Sequence, residues 1–239
     1  MEDGMQGKSI SVGDAVSWIG CGWGIFTKNP GIWIVLGLIL FVGIIVLSFI
    51  PFIGGLALNL IMPVMAAGML YGASQLDQGK TLEIEHLFEG FKQSDKTGSL
   101  IAIGGINLGA GILMMIIMFM MIGGSFMMGA MMGGTRGGAG AGIGFGFALA
   151  ILLLLVLNIL VAMALFYAVP LVMFQGAKVG DAIKASFNAC VTNFIPLLVF
   201  ALIYALIAIV ATIPIGLGWI VLLPMSYGIY YCSYRSIFG

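Results

Sequence analysis

Apolar residues run almost unbroken through six stretches of the chain: Gly31–Ile50, Gly54–Ser74, Gly98–Ile122, Phe145–Phe174, Ile195–Ile213 and Gly216–Tyr234. A helix needs roughly 20 such residues to cross a bilayer core, so the pattern predicts six transmembrane helices. The fourth stretch is long enough to tilt or to extend past the bilayer. Only Pro51–Ile53 separates the first pair, and only Pro214–Ile215 the last. These pairs are predicted to be tight helical hairpins. Lipid cannot solvate a loop's backbone, so their turns are expected near the interface.

Shorter stretches between the spans alternate differently. Val12, Val16, Ile19, Trp23 and Phe26 share one helical face, opposite Asp14 and Ser17. Ile183, Phe187, Val191 and Phe194 oppose Asp181, Lys184 and Asn188 in the same way. Both patterns follow a period of 3.6 residues. They open on the same tetrapeptide, Val12-Gly13-Asp14-Ala15 and Val179-Gly180-Asp181-Ala182. A third stretch sets Ile84, Leu87, Phe88 and Phe91 against Glu83, Glu85, His86, Glu89 and Lys92. The chain therefore reads as one membrane domain, 1–239, built of three parallel units over about 9–79, 80–176 and 177–239. Each unit is an amphipathic interfacial helix, a span, a turn and a second span. Pro63, Pro170 and Pro224 fall in the second spans, where proline removes a backbone hydrogen bond and bends a helix. The expected class is all-α: a polytopic membrane bundle of six transmembrane helices.

Composition strengthens this reading. Of 239 residues, 62% are hydrophobic and 8% charged, against about 25% charged in soluble domains. The nine basic and nine acidic residues balance, so no basic excess exists to hold nucleic acid. If the spans alternate, every basic residue but Arg136 falls on one side, and every acidic residue falls there too. Positive residues are retained in the cytoplasm, so both termini are expected there. The polar N-terminus is not followed by a short apolar segment with a cleavage site, so no removable signal peptide is expected. Cys21, Cys190 and Cys232 fall on the same side and are expected as reduced thiols.

Candidate chemistry is sparse. No ionisable acid, base or histidine lies in a span core, which argues against ion-coupled transport. Asn107 and Asn158, on adjacent spans, are expected to hydrogen-bond each other as structural glue. Gly68…Gly72 and Gly105…Gly109 are small-xxx-small pairs suited to close helix packing. Met127, Met128, Met131 and Met132 could offer thioethers to Cu(I), but no His or Cys is near and packing is the plainer role for methionine. No metal or cofactor is expected. His86 sits among glutamates on a solvated face, and one histidine assembles no catalytic set.

The Leu87-Phe88-x-Gly90-Phe91 segment, the turn prolines Pro51 and Pro214, and the proline-bearing second spans resemble a family of uncharacterised bacterial six-helix inner-membrane proteins. The layout is similar to the membrane domain of some glycerophosphodiester phosphodiesterases. The soluble catalytic barrel of those enzymes is missing, so their activity does not carry over. The resemblance implies a bacterial inner membrane and no functional residues. The expected function is a non-enzymatic accessory or scaffold subunit whose partners are the bilayer and other membrane proteins or a second copy. The alternative is a carrier or channel for an uncharged or lipid-like substrate.

Overall fold

The computed structural model describes residues 6–131 and 138–239, with the backbone alone at positions 122, 125–131 and 138–147. The elements are α1 (Val12–Lys28), α2 (Pro30–Ser48), α3 (Ile53–Asp77), a 3-10 helix (Ile84–Phe88), α4 (Glu89–Lys92), α5 (Ser94–Met131), α6 (Gly138–Phe166), α7 (Ala168–Gln175), α8 (Val179–Thr192), α9 (Phe194–Thr212) and α10 (Trp219–Phe238). The described residues form no strand. Five helical segments are long and apolar enough to cross a membrane: Pro30–Ser48, Ile53–Asp77, Ser94–Met121, Ala148–Gln175 and Phe194–Thr212. The fold is that of a multi-pass α-helical membrane protein. α10, predicted as the sixth span, has the length but is not among the five. It carries Ser226, Ser233 and four tyrosines between Tyr227 and Tyr234, and it is largely buried by its neighbours.

Among the described residues, several charged side chains meet at one end of the bundle. Lys28, closing α1, donates to the Leu76 carbonyl at the end of α3 at 2.8 Å. Asp77 pairs with Arg235 at the end of α10. Lys96, opening α5, donates to the Met173 carbonyl in α7 at 2.8 Å. The N-terminal segment is tied in at the same end. Asn193 is fully buried, and its side chain accepts from the Ile10 N–H at 2.8 Å and donates to the Lys8 carbonyl at 3.0 Å. The tightly packed core lies here too, in residues 64–76, 167–173 and 225–238. α9, by contrast, contributes no buried side chain.

The opposite ends of α2–α3 and α9–α10 are apolar turns. Phe52 and Ile215 each follow a proline, and each adopts a positive φ, 61° and 55°. That region is costly for any residue with a Cβ. Their side chains are almost fully exposed. The second turn satisfies its own backbone: the amides of residues 215 to 219 all donate within the segment 211–219. An apolar turn with no amide left over suits a low-dielectric surrounding.

The amphipathic stretches pack on the bundle through a face that includes their small residues. In α1 the buried residues are Ala15, Trp18, Gly22, Ile25 and Phe26, while Val12, Val16 and Trp23 stay exposed. In α8 they are Ala182, Ser186, Ala189 and Cys190, while Val191 is exposed. The small residues admit the neighbouring helix, and most of the large apolar stripe is left facing outward. α1 starts on a reciprocal cap: Asp14 accepts from the Ser11 N–H and hydroxyl, and Ser11 accepts from the Asp14 N–H. Those two donors hold the Asp14 carboxyl below its usual pKa. The third stretch is a 3-10 helix with Leu87 buried and Ile84, Phe88 and Phe91 exposed.

The cysteine expectation is corrected. Cys21 and Cys232 form a disulfide, with Cα atoms 6.3 Å apart, that joins α1 to α10 across 211 residues. Neither spacing nor composition could reveal a pair so distant in sequence. Cys190 stays free and buried, and burial pushes its thiol up to about 12, so it is protonated at neutral pH.

Candidate functional site

A cavity of about 600 Å³ opens between α6, α8, α9 and α10. α6 lines it with Asn158, Ala162, Met163 and Phe166, α8 with Cys190, α9 with Phe194, Ala201 and Tyr204, and α10 with Ser226, Tyr230 and Ser233. α6 and α9 flank it without packing closely on each other, so it opens sideways, toward the surface a bilayer would cover. Its wall is predominantly apolar, and it holds no acid or base that is charged at neutral pH. The volume is typical of sites for small organic ligands.

A broken helix shapes one wall. The sequence predicted a continuous span over Phe145–Phe174, yet the helix is interrupted at Tyr167. Pro170 has no N–H for the Phe166 carbonyl four residues back. The Tyr230 hydroxyl donates to that carbonyl instead. One turn earlier Ser186 enters the ladder. Its hydroxyl accepts from the Tyr167 N–H at 2.9 Å and donates to the Met163 carbonyl at 2.7 Å. The Tyr167 N–H and the Met163 and Phe166 carbonyls at the break thus have side-chain partners, as irregular backbone at membrane depth requires. Replacing Ser186 with alanine leaves the buried Tyr167 N–H without its partner and is expected to cost about 1–3 kcal/mol. A thermal midpoint in mild detergent unchanged from wild type would contradict this.

A second cavity, about 350 Å³, lies beside the first and shares Asn158 with it. The expected Asn107–Asn158 bond is not formed. Asn107 donates to the Asn59 side chain at 3.0 Å, and Asn59 donates to the Gly55 carbonyl at 3.0 Å. The reason is the close contact of α3 with α5. A Cβ on Gly104 would stand 2.2 Å from the Asn59 carbonyl oxygen, which Pro63 leaves without its helical donor. Asn158 is exposed, and its amide nitrogen reaches the Met114 sulfur at 4.0 Å, a weak acceptor.

The other predicted residues are placed as follows. Gly68 lies against the Leu87 carbonyl and Gly72 against the Leu82 side chain, so both seat the segment after α3 rather than a second long helix. Among the described glycines of α5, the one in close contact is Gly104. Gly105 has only the Leu60 side chain, at 3.9 Å, and Gly109 has nothing within 4 Å. Pro63 and Pro224 lie inside α3 and α10, which continue through them. His86 accepts from the Glu83 N–H at 3.2 Å and stacks edge-on against Tyr71. The side chains of Met127, Met128 and Met131, and the whole of Met132, lie outside the described residues. Ser186 and Gly104 escaped sequence reasoning. Ser186 stands out only as a polar residue on the small-residue face of α8, and Gly104 only as the neighbour of Gly105.

No family model, no curated protein and no solved structure matches this chain.

Proposed function

We propose that this chain is a multi-pass protein of a bacterial inner membrane that binds an uncharged, lipid-like molecule in the lateral cavity between α6, α9 and α10, as a carrier rather than an enzyme. The observation that carries the reading is the apolar cavity of about 600 Å³ with no charged lining. Water fills such a space poorly, and a hydrocarbon chain entering from the side fills it well. In this reading α10 is the sixth span, and three interfacial-helix units run parallel. The matching turns at Pro51-Phe52 and Pro214-Ile215 and the buried alanines Ala15 and Ala182 support the kinship of the first and third units. The charged end faces the cytoplasm, as the distribution of lysine predicts.

A ligand that binds only the folded form raises its stability by mass action. Neutral lipid added to the detergent-purified protein is therefore expected to raise the thermal midpoint of wild type. It should leave unmoved the variant Ala201→Trp, which fills the cavity. An equal shift in both proteins would sink the reading.

The accessory-subunit reading is favoured by one observation. α3 begins at Ile53, under two turns from Asn59, whereas α5 continues to Met131, about 36 Å beyond Asn107 at 1.5 Å per residue. Its exposed side chains there include Phe119 and Met120, an apolar face for a second membrane protein. Migration of the native complex as a lone, unassociated chain would remove this reading.

A further inference from the structure

Asn158, Tyr204 and Ser226 are among the polar side chains that interrupt the apolar wall of the cavity, with Cys190, Tyr227, Tyr230 and Ser233. Their depth is unusual. Tyr204 stands ten residues along α9 from its start at the charged end, roughly 15 Å in. Ser226 stands at a similar distance from Arg235 along α10, and the two hydroxyls are 2.5 Å apart. The pair therefore sits near the middle of a hydrocarbon core about 30 Å thick.

The proton positions follow from the neighbours. Ser226 donates to the Leu222 carbonyl at 2.6 Å, so within the pair it accepts and Tyr204 donates. The Tyr204 oxygen then keeps lone pairs for an incoming donor. Asn158 offers amide donors and a carbonyl acceptor, and its amide nitrogen donates only to the Met114 sulfur, a weak acceptor. An acceptor and a donor–acceptor group in one uncharged, apolar chamber suit a neutral group that both donates and accepts, of which a hydroxyl is the smallest. Its proton goes to Tyr204, and its oxygen accepts from Asn158. A phosphate or ammonium head would enter with no counter-charge, at a cost of several kcal/mol.

We propose that the cavity is selective for neutral lipid alcohols, long apolar chains with one free hydroxyl, and that Tyr204 and Asn158 read the hydroxyl. The proposal rests on the reading of the cavity as a lipid-like site. Lipid alcohols come from two sources, isoprenoid alcohols and diacylglycerols, and the same contacts would serve either.

The test uses the full chain in mild detergent, with tryptophan fluorescence as the readout. Trp18 packs edge-on at 5.3 Å against Phe200, which lines the cavity. The probes are geranylgeraniol, dioleoylglycerol and squalene, a hydrocarbon with no hydroxyl. One of the two alcohols is expected to bind at least about tenfold tighter than squalene, the worth of one or two hydrogen bonds, and the better one names the source. Asn158→Leu and Tyr204→Phe should each erase that preference while squalene binding persists. Asn158 is exposed, so its variant leaves the packed core intact, and persisting squalene binding shows that each variant has folded. Equal binding of alcohol and squalene by wild type would overturn the selectivity and leave the lipid site standing. Binding of none of the three would overturn both.

Discussion

Replacing Gly22 with valine is expected to destabilise the protein by about 3 kcal/mol or to prevent its assembly. A Cβ at Gly22 would stand 2.3 Å from the Ile229 side chain and 2.7 Å from its backbone nitrogen. Backbone cannot rotate aside as a side chain can, so the overlap must be relieved by moving α1 off α10. Overpacking of this kind costs about 1–3 kcal/mol, and this site lies at its upper end. Gly228 faces Gly22 from the other helix, with only 3.1 Å between its Cβ position and the Gly22 carbonyl. The control is two residues away in sequence: Gly20 has nothing within 4 Å, and Gly20→Val is expected to change the thermal midpoint little. Equal loss in the two variants would show that helix propensity, not the close crossing, sets the cost. The crossing also bears on function, because Ile229 lines the cavity.

The second large effect concerns the disulfide beside that crossing. Cys21 and Cys232 close a loop of nearly the whole chain. Constraint of the unfolded chain by so long a loop stabilises by about 5 kcal/mol in the chain-entropy account. Reduction, or Cys232→Ser, is therefore expected to lower the thermal midpoint strongly, and the serine variant should no longer respond to reductant. An unchanged midpoint on reduction would refute the staple. Cys190 will not confuse the assay under native conditions, since its thiol is buried and protonated. The bond also reports on orientation. Lysines at this end predict that it faces the cytoplasm, where thiols are kept reduced. Protein alkylated during extraction from cells should then carry free Cys21 and Cys232, the bond of the structure closing only once the purified protein meets oxidising conditions. Full oxidation under that treatment would place the charged end in an oxidising compartment and reverse the proposed topology.

Much of the fold was legible because lipid imposes simple rules. Long apolar runs can only be buried or lipid-facing helices, and five of the six stretches have the length and composition of spans. Tight hairpins followed from the few residues at Pro51 and Pro214. Pairing was harder to read. A stripe such as Val12, Val16 and Trp23 is the most apolar face of its helix, but in a membrane the most apolar face need not be the one that packs. The small residues Ala15 and Gly22 decide that, because van der Waals approach replaces the hydrophobic effect between helices. The same logic moved the close contact of α5 from Gly105 to Gly104. Asn107 found Asn59 at the close α3–α5 contact, whereas Asn158 stands beside Met114, farther along α5. The cavity was not visible in sequence. It arises where α6 breaks at Tyr167, and the break depends on Ser186 and Tyr230 arriving from two other helices. Its neutrality was visible: the span cores hold no acid or base, so the cavity wall carries no formal charge.

The central claim is that this lateral cavity holds a neutral lipid. Native mass spectrometry of the protein extracted in mild detergent tests it most directly. The predicted result is a one-to-one adduct with an uncharged lipid in wild type that is absent from Ala201→Trp. Bare protein in both samples, or the same adducts in both, would contradict it.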